Sequence, residues 1–167
     1  AAPLGWTTSS WQPTAEFSWS GSVAHRGRHS VRIDAPQPDD AFWSQTVPVQ
    51  PHSLYRLSGW IRTAGVAHTT EPVDAGANLS FAGTWDHSPG VFGTTRWTMA
   101  WVTVNSGDRT ELTVAARLGY WAGTTSGTAW FDDLRLERLL PVVPAPSWRI
   151  LGVVYRNLDF SFPASDG

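Results

Sequence analysis

Two carboxylates stand side by side inside a strand-like run, Ser126-Gly-Thr-Ala-Trp-Phe-Asp-Asp-Leu-Arg-Leu-Glu137. Strand residues alternate between faces, so Leu134 and Leu136 share a parity with Trp130 and Asp132, while Phe131, Asp133 and Arg135 share the other. If the leucines face the core, Asp132 points inward, and an inward carboxylate must be neutralised or hydrogen-bonded. It either anchors a cation such as Ca²⁺, which takes about six to eight oxygen ligands, or accepts backbone N–H bonds or pairs with an arginine. Glycosidase chemistry is a poor fit, because that reaction needs two carboxylates facing one substrate and adjacent strand residues face apart. His25 and His29 have a metal-like separation but straddle a loop-to-strand junction without a His-Glu-x-x-His helix, which argues against catalytic zinc. The sequence contains no nucleophile elbow, phosphate-cradling loop or dinucleotide fingerprint.

The other chemically suggestive set is aromatic. The chain has 11 Trp in 167 residues. Sugar rings lay their C–H faces on Trp and Tyr, and their hydroxyls seek Asp, Asn, Gln or Arg at the ring edge. Parity along the strand-like runs puts Trp60 outward with Arg56, Ser58 and Arg62, and Trp101 outward with Met99 and Thr103. It also puts Asn78, Ser80 and Arg117 outward. With Phe131 and Asp133, these residues form a candidate glycan surface, or else Trp60 and Phe131 are covered and act as satellite core. Trp85, in Gly83-Thr-Trp-Asp-His-Ser-Pro-Gly90, and Tyr120-Trp121 lie in polar loops, where they either bind or fold back to plug the ends of the fold. Trp11 and Trp19 take no assignment from the pattern. Asn78-Leu-Ser80 is a formal N-glycosylation sequon.

The elements that must position these groups are strands. Hydrophobic residues make up 41% and charged residues 16%, with Val, Thr, Trp and Phe interleaved with Gly and Pro, which favours strands joined by turns. Runs are expected at 15–20, 29–34, 41–49, 54–63, 75–83, 97–104, 110–118 and 128–138, separated by Gln37-Pro-Asp-Asp40, Gln50-Pro-His-Ser53, Asn105-Ser-Gly-Asp108 and the 119–127 stretch. This spacing predicts one all-β domain, a sandwich of two antiparallel sheets, over 1–139. A Pro-rich linker is expected over 140–147, and a tail over 148–167 begins with the apolar Trp148–Tyr155. That tail is either the start of a further domain or an extra strand packed on the sandwich.

Charge and cysteine content narrow the partners. The net charge is -2, and all 12 basic residues are Arg dispersed along the chain, so no footprint for nucleic acid or an anionic membrane emerges. There is no Cys, hence no disulfide framework or thiolate metal site. No run approaches the ~20 apolar residues of a membrane-spanning helix. The opening Ala-Ala-Pro-Leu-Gly-Trp lacks the regions of a signal peptide and reads as the start of a mature or excised piece.

An ordered series of segments carries a family likeness: Gly5-Trp6, Ala24-His-Arg-Gly-Arg-His-Ser-Val-Arg-Ile33, Trp43-Ser-Gln-Thr-Val-Pro-Val49, Tyr55-Arg-Leu-Ser-Gly-Trp60, Trp97, and Gly127-Thr-Ala-Trp-Phe-Asp-Asp-Leu-Arg-Leu136. Together, over most of 5–138, they resemble the family 4/9-type carbohydrate-binding modules, jelly-roll sandwiches of the galactose-binding-like superfold. The resemblance implies a non-catalytic module that binds a polysaccharide or oligosaccharide within a secreted, multidomain parent. The alternative is an accessory sandwich packing on a neighbouring catalytic domain. It also implies a structural calcium held by Asp132, with the backbone carbonyls of Arg28 and His25, and core roles for Trp6, Trp43, Trp97 and Trp130. The family's opening Asn-Gly-x-Phe-Glu-like strand is absent before Gly5, so such a site is either incomplete or completed differently.

Overall fold

The structure, a computed structural model, describes residues 2–142 and 147–150, with side chains as far as Leu139. The described residues form ten strands and no helix: β1 (Thr7–Ser10), β2 (Glu16–Ser20), β3 (Ser30–Asp39), β4 (Ala41–Pro48), β5 (Leu54–Val66), β6 (Ala77–Phe81), β7 (Gly93–Asn105), β8 (Glu111–Leu118), β9 (Thr125–Val142) and β10 (Ser147–Ile150). They assemble into two antiparallel sheets. One has the order β1-β4-β8-β6, and the other runs β2-β3-β9-β5-β7 with β10 paired on β9.

The alternation read from the sequence is what builds the core. Val31, Ile33, Leu57 and Ile61 of the larger sheet meet Trp43, Leu79, Phe81, Val114 and Leu118 of the smaller one, all buried. Each side chain of this size contributes about 1.5–3 kcal/mol by leaving water. Two strand assignments differ from the expectation. β1 has only Thr and Ser, with no apolar alternation to announce it, yet it pairs with β4 from Thr7↔Ser44 to Ser10↔Ala41. β3 runs through the expected turn at Gln37 to Asp39 before β4 begins. At the other end, β9 continues to Val142, and β10 folds back on it with Ser147↔Val142 and Ile150↔Leu139. Residues 143–146 of the expected linker and the tail from Leu151 lie outside the described residues.

One irregularity reverses the parity argument for the acidic pair. Between Ser58↔Arg135 and Trp60↔Asp132 the β5–β9 register slips, so Gly59 stands opposite both Asp133 and Leu134. Asp133 takes φ 50°, the left-handed conformation that Asp tolerates better than most residues. A Cβ on Gly59 would lie 3.0 Å from Leu134 Cδ1, so glycine leaves the room that Leu134 fills. Beyond the bulge Leu134 and Leu136 face the core; before it, Ala129 and Phe131 do. Phe131 is therefore interior, opposite Ile61 and Val31, and not part of an outer surface. Trp130 and Asp132 lie on the outer side, as Trp97 does, instead of in the core. Trp130 packs under the guanidinium groups of Arg32 and Arg62 at 5.9 and 5.7 Å.

Candidate functional site

On the outer face of the four-stranded sheet, three neighbouring strands set Phe42, Arg117 and Asn78 in one row. The parity expected for Arg117 and Asn78 is right, but neither reaches solvent. Arg117 donates through Nε and Nη2 to Asp40, with Nε–Oδ1 at 2.6 Å. Its guanidinium lies 4.9, 4.5 and 5.9 Å from the ring centres of Phe42, Tyr120 and Trp121. A buried charge is tolerable when it is paired in this bidentate way. Asn78 points into the loop that covers it, donating to the carbonyl of Gly119 at 3.0 Å and that of Gly76 at 3.2 Å. It braces a turn, and its burial leaves the sequon without an accessible acceptor.

Above this row lies a groove of about 500 Å³ lined by Ser9, Ser10, Trp11, Asp40, Phe42, Ala82, Gly83, Arg117, Trp121 and Ala122. Its two aromatic walls are open to solvent, with Trp11 77% and Trp121 46% exposed. Each is held there by its loop. The Trp11 loop is organised by the buried carboxylate of Asp39, which accepts hydrogen bonds from Ser10 Oγ (2.5 Å), Gln12 N (2.9 Å), Thr14 N and Oγ1 (3.1 Å each), Ala15 N (3.1 Å) and Asp40 N (2.7 Å). Burial pushes the Asp39 carboxyl up, but the bonds from Ser10, Gln12 and Thr14 outweigh it and hold the group below its ordinary value.

Trp121 sits in a tight turn closed by mutual backbone bonds between Tyr120 and Gly123. It has φ 51°, a conformation costing a non-glycine residue about 1–2 kcal/mol. Gly123, two residues on, is obligatory, because a Cβ there would lie 1.7 Å from the carbonyl oxygen of Val73. Under the turn, Tyr120 is buried and donates its hydroxyl to the carbonyl of Thr84 at 2.6 Å. Burial pushes the Tyr120 hydroxyl above its ordinary pKa. Of the pair Tyr120-Trp121, then, the tyrosine plugs and the tryptophan is presented.

The opposite outer face holds the acidic pair. Asp132 is fully buried and accepts N–H bonds on Oδ2 from His25 (2.7 Å) and Arg26 (3.1 Å), and on Oδ1 from Asp133 (2.7 Å). Burial is the largest influence on this carboxyl and keeps it above its ordinary value despite those bonds. Asp133 is 2.6 Å from His25 Nδ1, and the His25 ring stacks on Trp60 at 4.2 Å and 16°. The first neighbours of Asp132 are thus amide donors, whereas a calcium ion requires a shell of oxygens. Arg28 is exposed further along the loop. Among the described residues, no group of three or more His, Cys, Asp or Glu could hold a metal. As arranged, Asp132, His25 and Arg28 suit loop anchoring and do not fit a cation. Trp60 is a half-covered lid over that loop.

Trp85 and Trp101 complete the set, 72% and 56% exposed. They line a further groove along the edge of β7.

No family model and no curated protein matches the sequence. Solved structures do match in shape. TmCBM61 in complex with β-1,4-galactotriose aligns with a TM-score of 0.53 and 19% identity, over 82% of this chain and 90% of that one. The CBM22-1 xylan-binding domain from Paenibacillus barcinonensis Xyn10C aligns at 0.52 and 13% identity, over 83% and 88%. The enzymatically active domain of bacteriophage CBA120 tailspike protein 4 aligns at 0.56 and 12% identity, over 81% of this chain but only 19% of its own. With the two antiparallel sheets, the comparison settles the architecture. The fold is a jelly-roll β-sandwich. On this jelly roll the Trp11–Trp121 groove occupies the outer face of the smaller sheet, and the acidic pair lies across the molecule from it. Trp11, Phe42, Asp40 and Asp39 are the site residues that sequence reasoning missed. The available signal was that Trp11 lies in a polar run, Ser9-Ser-Trp-Gln-Pro13, the same setting that singled out Trp85 and Trp121.

Proposed function

We propose that this jelly roll is a carbohydrate-binding module, taking a neutral polysaccharide or oligosaccharide in the Trp11–Trp121 groove and carrying out no chemistry itself. One observation carries the reading: two solvent-exposed tryptophans wall a groove whose floor is an aromatic ring and an ion pair that cancels its own charge. Exposed Trp on both walls leaves apolar surface in water that a pyranose ring would cover. Asp40 neutralises Arg117, so the groove favours no net charge, while the hydroxyl of Ser9, the acceptor lone pairs of Ser10 and the Trp11 indole N–H remain as partners for sugar hydroxyls. The similarly folded structures reported with galactotriose and as a xylan-binding domain support this class of ligand.

Affinity of the order of micromolar to millimolar, about -8 to -4 kcal/mol, suffices for such a module. Its role is to hold a neighbouring domain of a secreted parent protein near a polymer through effective concentration. The test is calorimetric titration with neutral β-glucan, xylan, mannan and galactan oligosaccharides, run on the wild type and on Trp11→Ala. Saturable binding to one class that drops about tenfold in the variant, the scale of a lost aromatic contact, supports the reading. Binding that Trp11→Ala leaves unchanged excludes this groove.

A further inference from the structure

We propose that the glycan path does not end at Trp121 but crosses onto Trp85 and continues along the free edge of β7, so that the protein grips the interior of a long chain over two consecutive grooves. This rests on the glycan reading of the first groove. β7 is the last strand of its sheet, so one edge of this 13-residue strand has no partner among the described residues. Thr98 to Thr103 form one wall of a groove of about 580 Å³, and the other wall is Trp85, Asp86, His87 and Pro89 to Val91. That second wall is tied to the smaller sheet by the bridges Ala77↔Val91 and Ser80↔His87. The groove is therefore bounded by both sheets and is as fixed as they are.

Its aromatic content is continuous with the first groove. Trp85 lies 5.3 Å from Trp121 at 33°, so the ring that closes one groove abuts the ring that opens the other. Trp101 and Met99 are both more than half exposed on β7. No charged residue occurs from Trp97 to Asn105, although long uncharged edge strands are ordinarily blunted because they invite pairing with other chains. An edge left bare in this way offers alternating N–H and C=O groups. Beside the hydroxyls of Thr98 and Thr103 and the polar groups of Asp86 and His87, these match a ligand that donates and accepts along its whole length. A β-strand peptide would use the same ladder, but it would have no need of the aromatic run through Trp85 and Trp121.

The experiment is a length series. Xylo-oligosaccharides and β-1,4-galacto-oligosaccharides from disaccharide to octasaccharide are titrated into wild type, Trp11→Ala, Trp101→Thr and Trp85→Ser, with melting temperatures recorded alongside. Threonine keeps the strand propensity of β7, and both substituted Trp side chains are exposed, so the fold should be unaffected. Affinity is expected to keep rising with length in the wild type. Trp101→Thr should remove the late part of that rise, about tenfold at the octasaccharide, and leave the disaccharide unchanged, while Trp11→Ala weakens every length. If Trp101→Thr and Trp85→Ser match the wild type at all lengths while Trp11→Ala still weakens binding, the path ends at Trp121 and the inference fails alone. If Trp101→Thr weakens the disaccharide as much as the octasaccharide, the β7 edge is the primary site and the proposed order is wrong. If the wild type binds no oligosaccharide in this series and none of the glucan, xylan, mannan and galactan panel, the glycan reading itself fails and the extension falls with it.

Discussion

Replacing Asp39 with Asn tests how the sequence builds the candidate site, because a single buried carboxylate holds the loop that presents Trp11. Its Oδ2 accepts four bonds, from Ser10, Thr14 (two) and Ala15, and its Oδ1 accepts two, from the amides of Gln12 and Asp40. The carboxamide is best accommodated with its oxygen in the four-bond position, which turns its NH2 group toward the Gln12 and Asp40 amides. Each amide left without an acceptor costs about 1–3 kcal/mol, and the four surviving bonds lose the added strength of a charged acceptor. Local rearrangement toward solvent limits the total, so Asp39→Asn should cost roughly 3 kcal/mol.

The pH dependence gives the same argument a sign. Asp39 in the folded protein lies below its ordinary value, so its stabilisation is complete above the unfolded value and disappears as pH falls through the lower folded one. Urea unfolding of both proteins at neutral and acidic pH should show a gap at neutral pH that narrows in acid. The same variant should bind the preferred glycan more weakly, because Trp11 is no longer preorganised. A neutral-pH difference under about 0.5 kcal/mol, the range of an ordinary surface substitution, would refute the claim that Asp39 organises the loop.

Phe131→Ala should cost about 3–5 kcal/mol in chemical denaturation, the price of a core cavity; a near-zero effect would return Phe131 to the surface and remove the bulge from β9. Because burial holds the Asp132 carboxyl above its ordinary value, the native state binds that proton more tightly than the unfolded chain does, and stability from this group falls as pH rises from the ordinary value through the raised one. Asp132→Asn should flatten that fall in a pH series of melting temperatures, and a slope equal to the wild type would acquit Asp132. Since amide donors surround this carboxylate, added calcium or EDTA should leave the wild-type melting temperature unchanged; a rise of several degrees with calcium would show that oxygen ligands rearrange around it.

The sheets were readable from the sequence because apolar residues recur at alternate positions in several strands. In β5, β7 and β8 the pattern placed Leu57 and Ile61, Val102 and Val104, and Val114 and Leu118 correctly in the core. Parity fails where the backbone adds a residue: Asp133 and Leu134 share one partner, and nothing in the local composition marks the extra residue, so Phe131, Trp130 and Asp132 exchange faces. It also says which face a residue takes but not whether a loop covers that face. Arg117 and Asn78 were assigned outward and are outward, yet the 119–122 turn and the partners Asp40 and Gly119 close over them. Trp121 and Trp85 were legible as aromatics stranded in polar loops. Trp11 had the same signature, but its position depends on Asp39, a contact across 25 to 29 residues that no local pattern encodes.

The most direct measurement is a two-dimensional NMR spectrum of the indole N–H groups, assigned by substitution, before and after saturation with the glycan that binds best. The Trp11 and Trp121 signals should shift with a common dissociation constant. The signal of Trp43, whose Nε1 donates to the carbonyl of Arg32 inside the sandwich, should stay in place. Saturation that leaves Trp11 and Trp121 unmoved, or that shifts only Trp60 beside the acidic pair, would contradict the placement of the site on the outer face of the smaller sheet.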